Sequence, residues 1–359
     1  MNFSLPSHSL FSDGASSSAS SINITDLSHN NDQTPTKKRR AVLPPFGAPS
    51  PSRRSGSISP RKQVRNAAAG TARIISYDAT KVPPALRALW RSIGDYDGGI
   101  GVIGHDERAA VEDAVYSIPE FQEQSIRDFV FEPTPANAGD GGPTAPRARL
   151  GPTPSVATVL DIVRTGKRCR DHGLDEQSWN AHVHTRVLSL AFRGIWQDPD
   201  GSLLTCILCS TASILPSYVE SSGRKVDLCV CIEPDDLSAT AISALRRQDQ
   251  LSRLSINHTD YEPLQTRPIA LSVETKKHGE DLSDAEAQLV IWHSAQWRLL
   301  RRLVERAEPN MSLPDFIPGI IIQGHEWMFV ASTMNDNAVT LWTSQVIGST
   351  TRVLGVYQI

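Results

Sequence analysis

The chain has 359 residues, 39% of them hydrophobic and 21% charged, with a formal net charge of −3. That length suits one large domain or two small ones with tails. Five cysteines do not make a disulfide framework. The opening MNFSLPSHSL lacks the basic start and long apolar stretch of a secretory signal, and no run approaches the ~18 apolar residues of a membrane span. The expectation is a soluble, reduced, intracellular protein.

The near-neutral total conceals a basic N-terminal region. Between Gln33 and Tyr77 there is no Asp or Glu, while Lys37, Lys38, Arg39, Arg40, Arg53, Arg54, Arg61, Lys62, Arg65 and Arg73 all fall there. Such a local field attracts nucleic acid or an acidic receptor surface. Residues 1–79 are Ser- and Pro-rich with few aromatics, and cannot bury enough apolar surface to offset ordering, so they read as a disordered tail. Lys37-Lys38-Arg39-Arg40 has the composition of a nuclear-localisation segment, which makes a nuclear import receptor a candidate partner and the nucleus the expected compartment. A solvated basic tail with no address function accounts for the same residues. Thr34-Pro35 and Ser59-Pro60 are candidate phosphorylation sites beside it.

In 80–132, Leu86, Leu89, Trp90 and Ile93 recur at helical spacing, and the stretch 106–131 also reads helical. This segment is expected to be a helical arm. Residues 133–154 form a Pro/Gly linker or long loop, and 155–359 the main domain. That domain opens with helices near 155–170 and 175–193, followed by strands at 203–208 and 226–232. A helix over 239–254 and a strand over 268–275 come next. Ser283-Asp284-Ala285-Glu286 looks like a capping box that starts a helix running to about 306. Strands over 319–323, 327–332 and 339–346 complete the pattern, with a tight turn at Gly324-His325. Helices alternating with strands in this order predict an α/β fold with a mixed central sheet flanked by helices.

Several residues stand out within that frame. On a regular strand Glu274 and Lys276 share one face, about 6–7 Å apart along the chain, with Leu271 and Val273 on the other. A carboxylate that can hold a metal thus lies beside a cation that can orient water. Asp227 opens the apolar strand VDLCVCI and can supply a second carboxylate. Glu176 aligns with Val183 and Val187, and Gln288 with Trp292, Ala295 and Leu299, so each lies on an inward helical stripe. Polar groups there need compensation. Taken singly, each residue has an ordinary reading: Glu176 as a helix-start carboxylate, Glu274 and Lys276 as an ion pair, Gln288 as a solvent-facing turn. The set in this order argues for a site.

Other signals are set aside. Gly99 to Gly104 matches G-x-G-x-x-G without a βαβ unit around it and reads as a loop. Cys206, Cys209, Cys229 and Cys231 read as buried thiols. His182 and His184 are wrongly spaced for joint ligation. His184, Asn257 and His258 read as structural hydrogen-bonders or substrate contacts.

The stretches Glu176 to His184, Lys225-Val226-Asp227, Ser255 to Thr259, Val273-Glu274-Thr275-Lys276, Glu286 to Trp292 and Pro318 to Trp327 resemble the PD-(D/E)XK nuclease superfamily. More closely, they resemble its nuclease-like domains abundant in filamentous fungi. The resemblance implies a restriction-endonuclease-like core. It implies that Asp227, Glu274 and the Thr275 carbonyl ligate Mg²⁺ or Mn²⁺, and that Lys276 orients or activates water. Glu176 would reach the metal's water, and Gln288 would steady the site. The implied function is metal-dependent hydrolysis of nucleic acid, with DNA the expected substrate. The alternative is a catalytically silent module, binding nucleic acid or protein, that keeps the fold. Arg246, Arg247, Arg253, Arg298, Arg301 and Arg302 suit either reading. The chain departs from the pattern at Val226, where the superfamily name has Pro, and in the 47 positions separating Asp227 from Glu274. It also stops soon after an apparent helix start at Ser349-Thr350-Thr351, so the domain reads as cut short there.

Overall fold

A computed structural model describes residues 72–132, 152–196, 204–219, 225–248, 255–306 and 311–359. The basic clusters from Lys37 to Arg65, the two Ser/Thr-Pro dipeptides, Arg253 and residues 133–151 of the linker lie outside the described residues.

Strand β1 (Ala72–Ser76) precedes helix α1 (Pro84–Asp97), which starts after Pro83 with another proline at its first position. Proline is pre-organised there because its missing N–H would have no helical partner. The following stretch is not one helix. Pro119 divides it into α2 (Arg108–Ser117) and the single turn α3 (Pro119–Gln122). Helix α4 (Val156–Asp171) is capped by Ser155, whose hydroxyl accepts from the Thr158 amide. Helix α5 (Glu176–Trp179), capped by Asp175, passes through a π-helical turn (Asn180–His184) into α6 (Thr185–Trp196). Strands β2 (Leu204–Leu208) and β3 (Leu228–Ile232) lead to α7 (Asp236–Gln248), β4 (Ile269–Lys276) and the 23-residue helix α8 (Leu282–Val304). Strands β5 (Ile317–Gln323), β6 (Glu326–Asn335) and β7 (Ala338–Ser349) and helix α9 (Val353–Gln358) complete the chain.

The strands form one seven-stranded sheet in the order β1-β7-β6-β5-β4-β3-β2. The pairs β1–β7 and β4–β5 are parallel and the others antiparallel, which makes the sheet mixed. The architecture is a restriction-endonuclease-like α/β fold, as expected. The last hairpin turns on Asp336 and Asn337 at φ 45° and 69°, a pair of positive values that Asn and Asp tolerate in two-residue hairpins.

Helix α8 covers one face of the sheet, where Leu289, Trp292, Ala295 and Trp297 pack with Cys229, Ile269, Ile321 and Val330. Helices α4, α6 and α9 cover the other, where Ile162, Val187 and Val356 meet Leu228, Val273, Ile322 and Trp327. A third cluster joins Leu86 and Trp90 of α1 to Phe329, Ala331 and Trp342. Trp292, Trp297 and Trp327 are fully buried. At ~25 cal/mol per Å² of apolar surface, each contributes on the order of 4–6 kcal/mol against an exposed reference.

Several expectations change. Ala72–Ser76 lies inside the segment whose composition suggests a tail, yet it pairs with β7 from Ala72↔Val339 to Ser76↔Thr343. Within the helical segment 80–132, α1 shares a core with β6 and β7. Helix α8 is capped by Asp281 rather than Ser283: the Asp281 carboxylate accepts the Ser283 amide at 2.9 Å. The last helix begins at Val353, and Val353, Val356 and Tyr357 pack into the second core.

Candidate active site

Asp227 sits just before β3, opposite the end of β4. Its backbone N–H donates to the Val273 carbonyl at 3.1 Å. Its Oδ2 accepts two hydrogen bonds from Thr275, one from the backbone amide (2.9 Å) and one from the hydroxyl (2.8 Å). One residue thus grips a single carboxylate oxygen through both donors, which fixes the direction of the other. Along β4 the alternation is as expected. Leu271 and Val273 join the core beneath α4 and α6, leaving Glu274 and Lys276 on the other face.

Glu274 is 1% exposed and Lys276 11%. The Lys276 ammonium donates to Glu274 Oε1 at 2.5 Å and to the Thr275 carbonyl at 2.9 Å. These two oxygens are the ones that the resemblance assigns to a metal, and here a lysine cation bridges them. Glu274 Oε2 is buried without a hydrogen-bond partner. An anionic oxygen left bare in the interior is costly, and a bound cation is one way to compensate it.

The charges act on one another strongly. Burial, reinforced by the Asp227 charge, pushes the Glu274 carboxyl well above the usual range, although Lys276 pulls the other way. Burial works against the Lys276 ammonium, but Glu274, Glu176 and Asp227 more than offset it and its pKa is raised. Glu176, half-buried in the first turn of α5, is pushed up to about 7 by burial and by the Asp227 charge, with Lys276 opposing. A carboxyl there exchanges its proton near neutrality, whereas the lysine stays charged.

Asp227, Glu274, Thr275 and Lys276 are therefore in direct contact, and Glu176 lies within the reach of their charges. Gln288 stands one step away. It is half-buried, and its side-chain amide donates to the Lys225 carbonyl at 3.3 Å, bracing the segment that carries Asp227. Among the described residues, no group of three or more His, Cys, Asp or Glu side chains converges tightly enough to enclose a metal. The residues suit an ion that takes two carboxylates and a carbonyl and keeps several waters, as Mg²⁺ does.

Sequence patterning missed Asn180. Its Nδ2 donates to the Thr275 hydroxyl at 3.0 Å, and its Oδ1 lies 2.8 Å from His184 Nδ1. His184 Nε2 lies 2.9 Å from the Gly324 carbonyl oxygen, so His184 is the structural hydrogen-bonder expected of it, while His182 is exposed. Asn257 likewise donates to the carbonyls of Leu264 and Arg267. His258 does neither job assigned to it: it is fully buried, unbonded at both ring nitrogens, and packed edge-on against Trp292. Cys209, Cys229 and Cys231 are buried free thiols, but Cys206 is only half-buried. Among the arginines, Arg246 donates to Gln265, Arg298 to the Tyr218 carbonyl and Arg301 to Asn337, so all three have contacts within the fold.

A carboxylate–lysine cluster where β4 ends beside the start of β3, in a restriction-endonuclease-like fold, defines a nuclease-like domain. A family model described as the PD-(D/E)XK nuclease superfamily matches residues 119–359, and the chain belongs to that superfamily. Nucleases of this superfamily typically use divalent metals. No curated protein matches the chain. No helix among the described residues is long and apolar enough to cross a membrane.

Proposed function

We propose that this protein is a divalent-metal-dependent nuclease that hydrolyses phosphodiester bonds in nucleic acid, DNA foremost, at the end of β4. The observation that carries this reading is the buried Glu274, with one oxygen bare and the other held by Lys276, directly beside Asp227. A structural ion pair has no need of a second and a third carboxylate within reach. Holding like charges together is costly unless a cation joins them.

Asp227, Glu274 and the Thr275 carbonyl would hold Mg²⁺ or Mn²⁺. Such an ion supplies Lewis acidity, acidifying water and offsetting charge on phosphate oxygens. Because Thr275 occupies Oδ2, Asp227 would have its other oxygen to offer the ion. Lys276, which holds the Thr275 carbonyl and Glu274 Oε1 here, would yield both oxygens to the ion while keeping its proton. It would then orient the attacking water and face the charge that develops on the phosphate. Glu176, half-buried within reach of the same charges, would accept the proton that the water loses. Gln288 keeps the Asp227 segment in place. We also propose that the basic tail adds phosphate contacts, and that Lys37 to Arg40 direct import to the nucleus.

Purified protein incubated with plasmid, single-stranded DNA and RNA in Mg²⁺ or Mn²⁺ tests this reading. Cleavage abolished by a chelator and restored by metal is expected. Salt-sensitive binding of the same substrates without cleavage in either metal would favour the silent binding module instead.

A further inference from the structure

Asp227 is tied to the π-helical turn by a chain of hydrogen bonds. It runs from Asp227 Oδ2 to the Thr275 hydroxyl (2.8 Å), the Asn180 amide (3.0 Å) and His184 Nδ1 (2.8 Å); across the ring, Nε2 lies 2.9 Å from the Gly324 carbonyl oxygen. Asn180 and His184 are 5% and 1% exposed, so water does not substitute for these partners. Both belong to the π-helical turn Asn180–His184. Single π-helical turns inside α-helices occur frequently at functional sites. Gly324 is itself held against β4, because its amide donates to the Lys276 carbonyl at 2.9 Å.

The direction of each bond follows from the two ends. An Asp227 carboxylate can only accept, so the Thr275 hydroxyl donates to it and takes the Asn180 N–H on its own lone pair. Asn180 Oδ1 then faces His184 Nδ1, which has to donate. The Gly324 carbonyl also only accepts, so both ring nitrogens face acceptors. Burial pulls the His184 pKa down to about 4, leaving one proton for two acceptors at neutral pH. With that proton on Nδ1 the chain to Asp227 is complete, and the Nε2–Gly324 approach carries no hydrogen bond. With it on Nε2, Asn180 turns over, and its oxygen competes with Asp227 for the Thr275 hydroxyl.

We infer that Asn180 and His184 are positioning residues that hold the Asp227 carboxylate through the Thr275 hydroxyl, with the polarity of the relay set by a proton on His184 Nδ1. The role served, aiming Asp227 at a cation, rests on the metal-site reading, but the relay itself can be tested without metal.

The experiment is ¹⁵N spectroscopy of histidine-labelled full-length protein at neutral pH, with the His184 signals assigned through His184→Gln. The two imidazole tautomers are distinguished directly by their nitrogen shifts. Wild type and Thr275→Ser, which keeps the hydroxyl, are expected to carry the proton on Nδ1. Thr275→Val keeps the shape without the hydroxyl, and is expected to move it to Nε2. A wild-type ring protonated on Nε2 overturns the inference, and so does a Thr275→Val ring unchanged from wild type. The wild-type and Thr275→Ser spectra decide the matter even if the valine variant does not fold. In parallel, Mn²⁺ titration should show affinity about 10-fold weaker in Asn180→Ala and Thr275→Val, and retained in Thr275→Ser. Wild type that shows the Nδ1 signature but binds no Mn²⁺ contradicts the metal-site reading while supporting the relay.

Discussion

Replacing Glu176 with glutamine removes a charge that the fold is poorly arranged to hold. Burial and the Asp227 charge raise this carboxyl from the ordinary 4.5 to about 7. A raised carboxyl pKa means that the folded state binds the proton more tightly than the unfolded chain does. The stability gained from the neutral form is therefore fully present below about 4.5 and is lost as the pH rises through about 7. At ~1.4 kcal/mol per pKa unit the ceiling is about 3 kcal/mol. Because Glu176 is only half-buried, solvent screening brings the expected effect to about 1–2 kcal/mol. Glu176→Gln should then match wild type near pH 4 and exceed it by that amount at pH 8.5. Urea unfolding at the two pH values, with equal m-values, measures the difference. A gap of the same size at both pH values, or a wild type more stable than the variant at pH 8.5, would refute the raised pKa that burial and the Asp227 charge give Glu176.

Lys276→Met leaves the buried Glu274 carboxylate unpaired and should cost about 3–5 kcal/mol at pH 8.5. The cost should shrink as the pH falls, because burial already favours the protonated Glu274 carboxyl. Adding Glu274→Gln should recover most of the loss, and a double-mutant cycle by chemical denaturation reads the coupling. Gly324 adopts φ 57° in the β5–β6 turn, where an added Cβ would stand 3.2 Å from the His278 Cβ. Gly324→Ala should cost about 1–2 kcal/mol by thermal unfolding. Asp281→Ala removes the cap of α8 and should cost about 0.5–2 kcal/mol, whereas Ser283→Ala should be near neutral. The reverse order would return the cap to Ser283.

Most elements of the main domain were legible because their cores impose clear periods. β4 alternates Leu271 and Val273 against Ser272 and Glu274, and α8 carries apolar residues through four turns. The Glu274–Lys276 pair was legible for the same reason, since a period of two places both on one face. What escaped depended on distant or local geometry. The strand Ala72–Ser76 is five residues long, and its partner Val339 onward lies more than 260 positions away, so nothing local marks it. The relay through Asn180 was hidden by the π-helical turn. A regular 100° spacing carried from Glu176 to Val187 does not hold across a turn of that kind. Gln288 looked inward by spacing, but it lies where the α8 stripe meets the Lys225 backbone and remains half-buried. The cap of α8 went to Asp281 because its carboxylate reaches the Ser283 amide two residues ahead.

The service of Glu274 and Lys276 in phosphodiester hydrolysis is tested most directly by the rate of plasmid cleavage in Mn²⁺ by wild type, Glu274→Gln and Lys276→Met, each checked for folding by circular dichroism. Wild type should cut, and each variant should lose at least about 100-fold in rate, the scale of a missing group that stabilises transition-state charge. Folded variants that cut at the wild-type rate would contradict the claim.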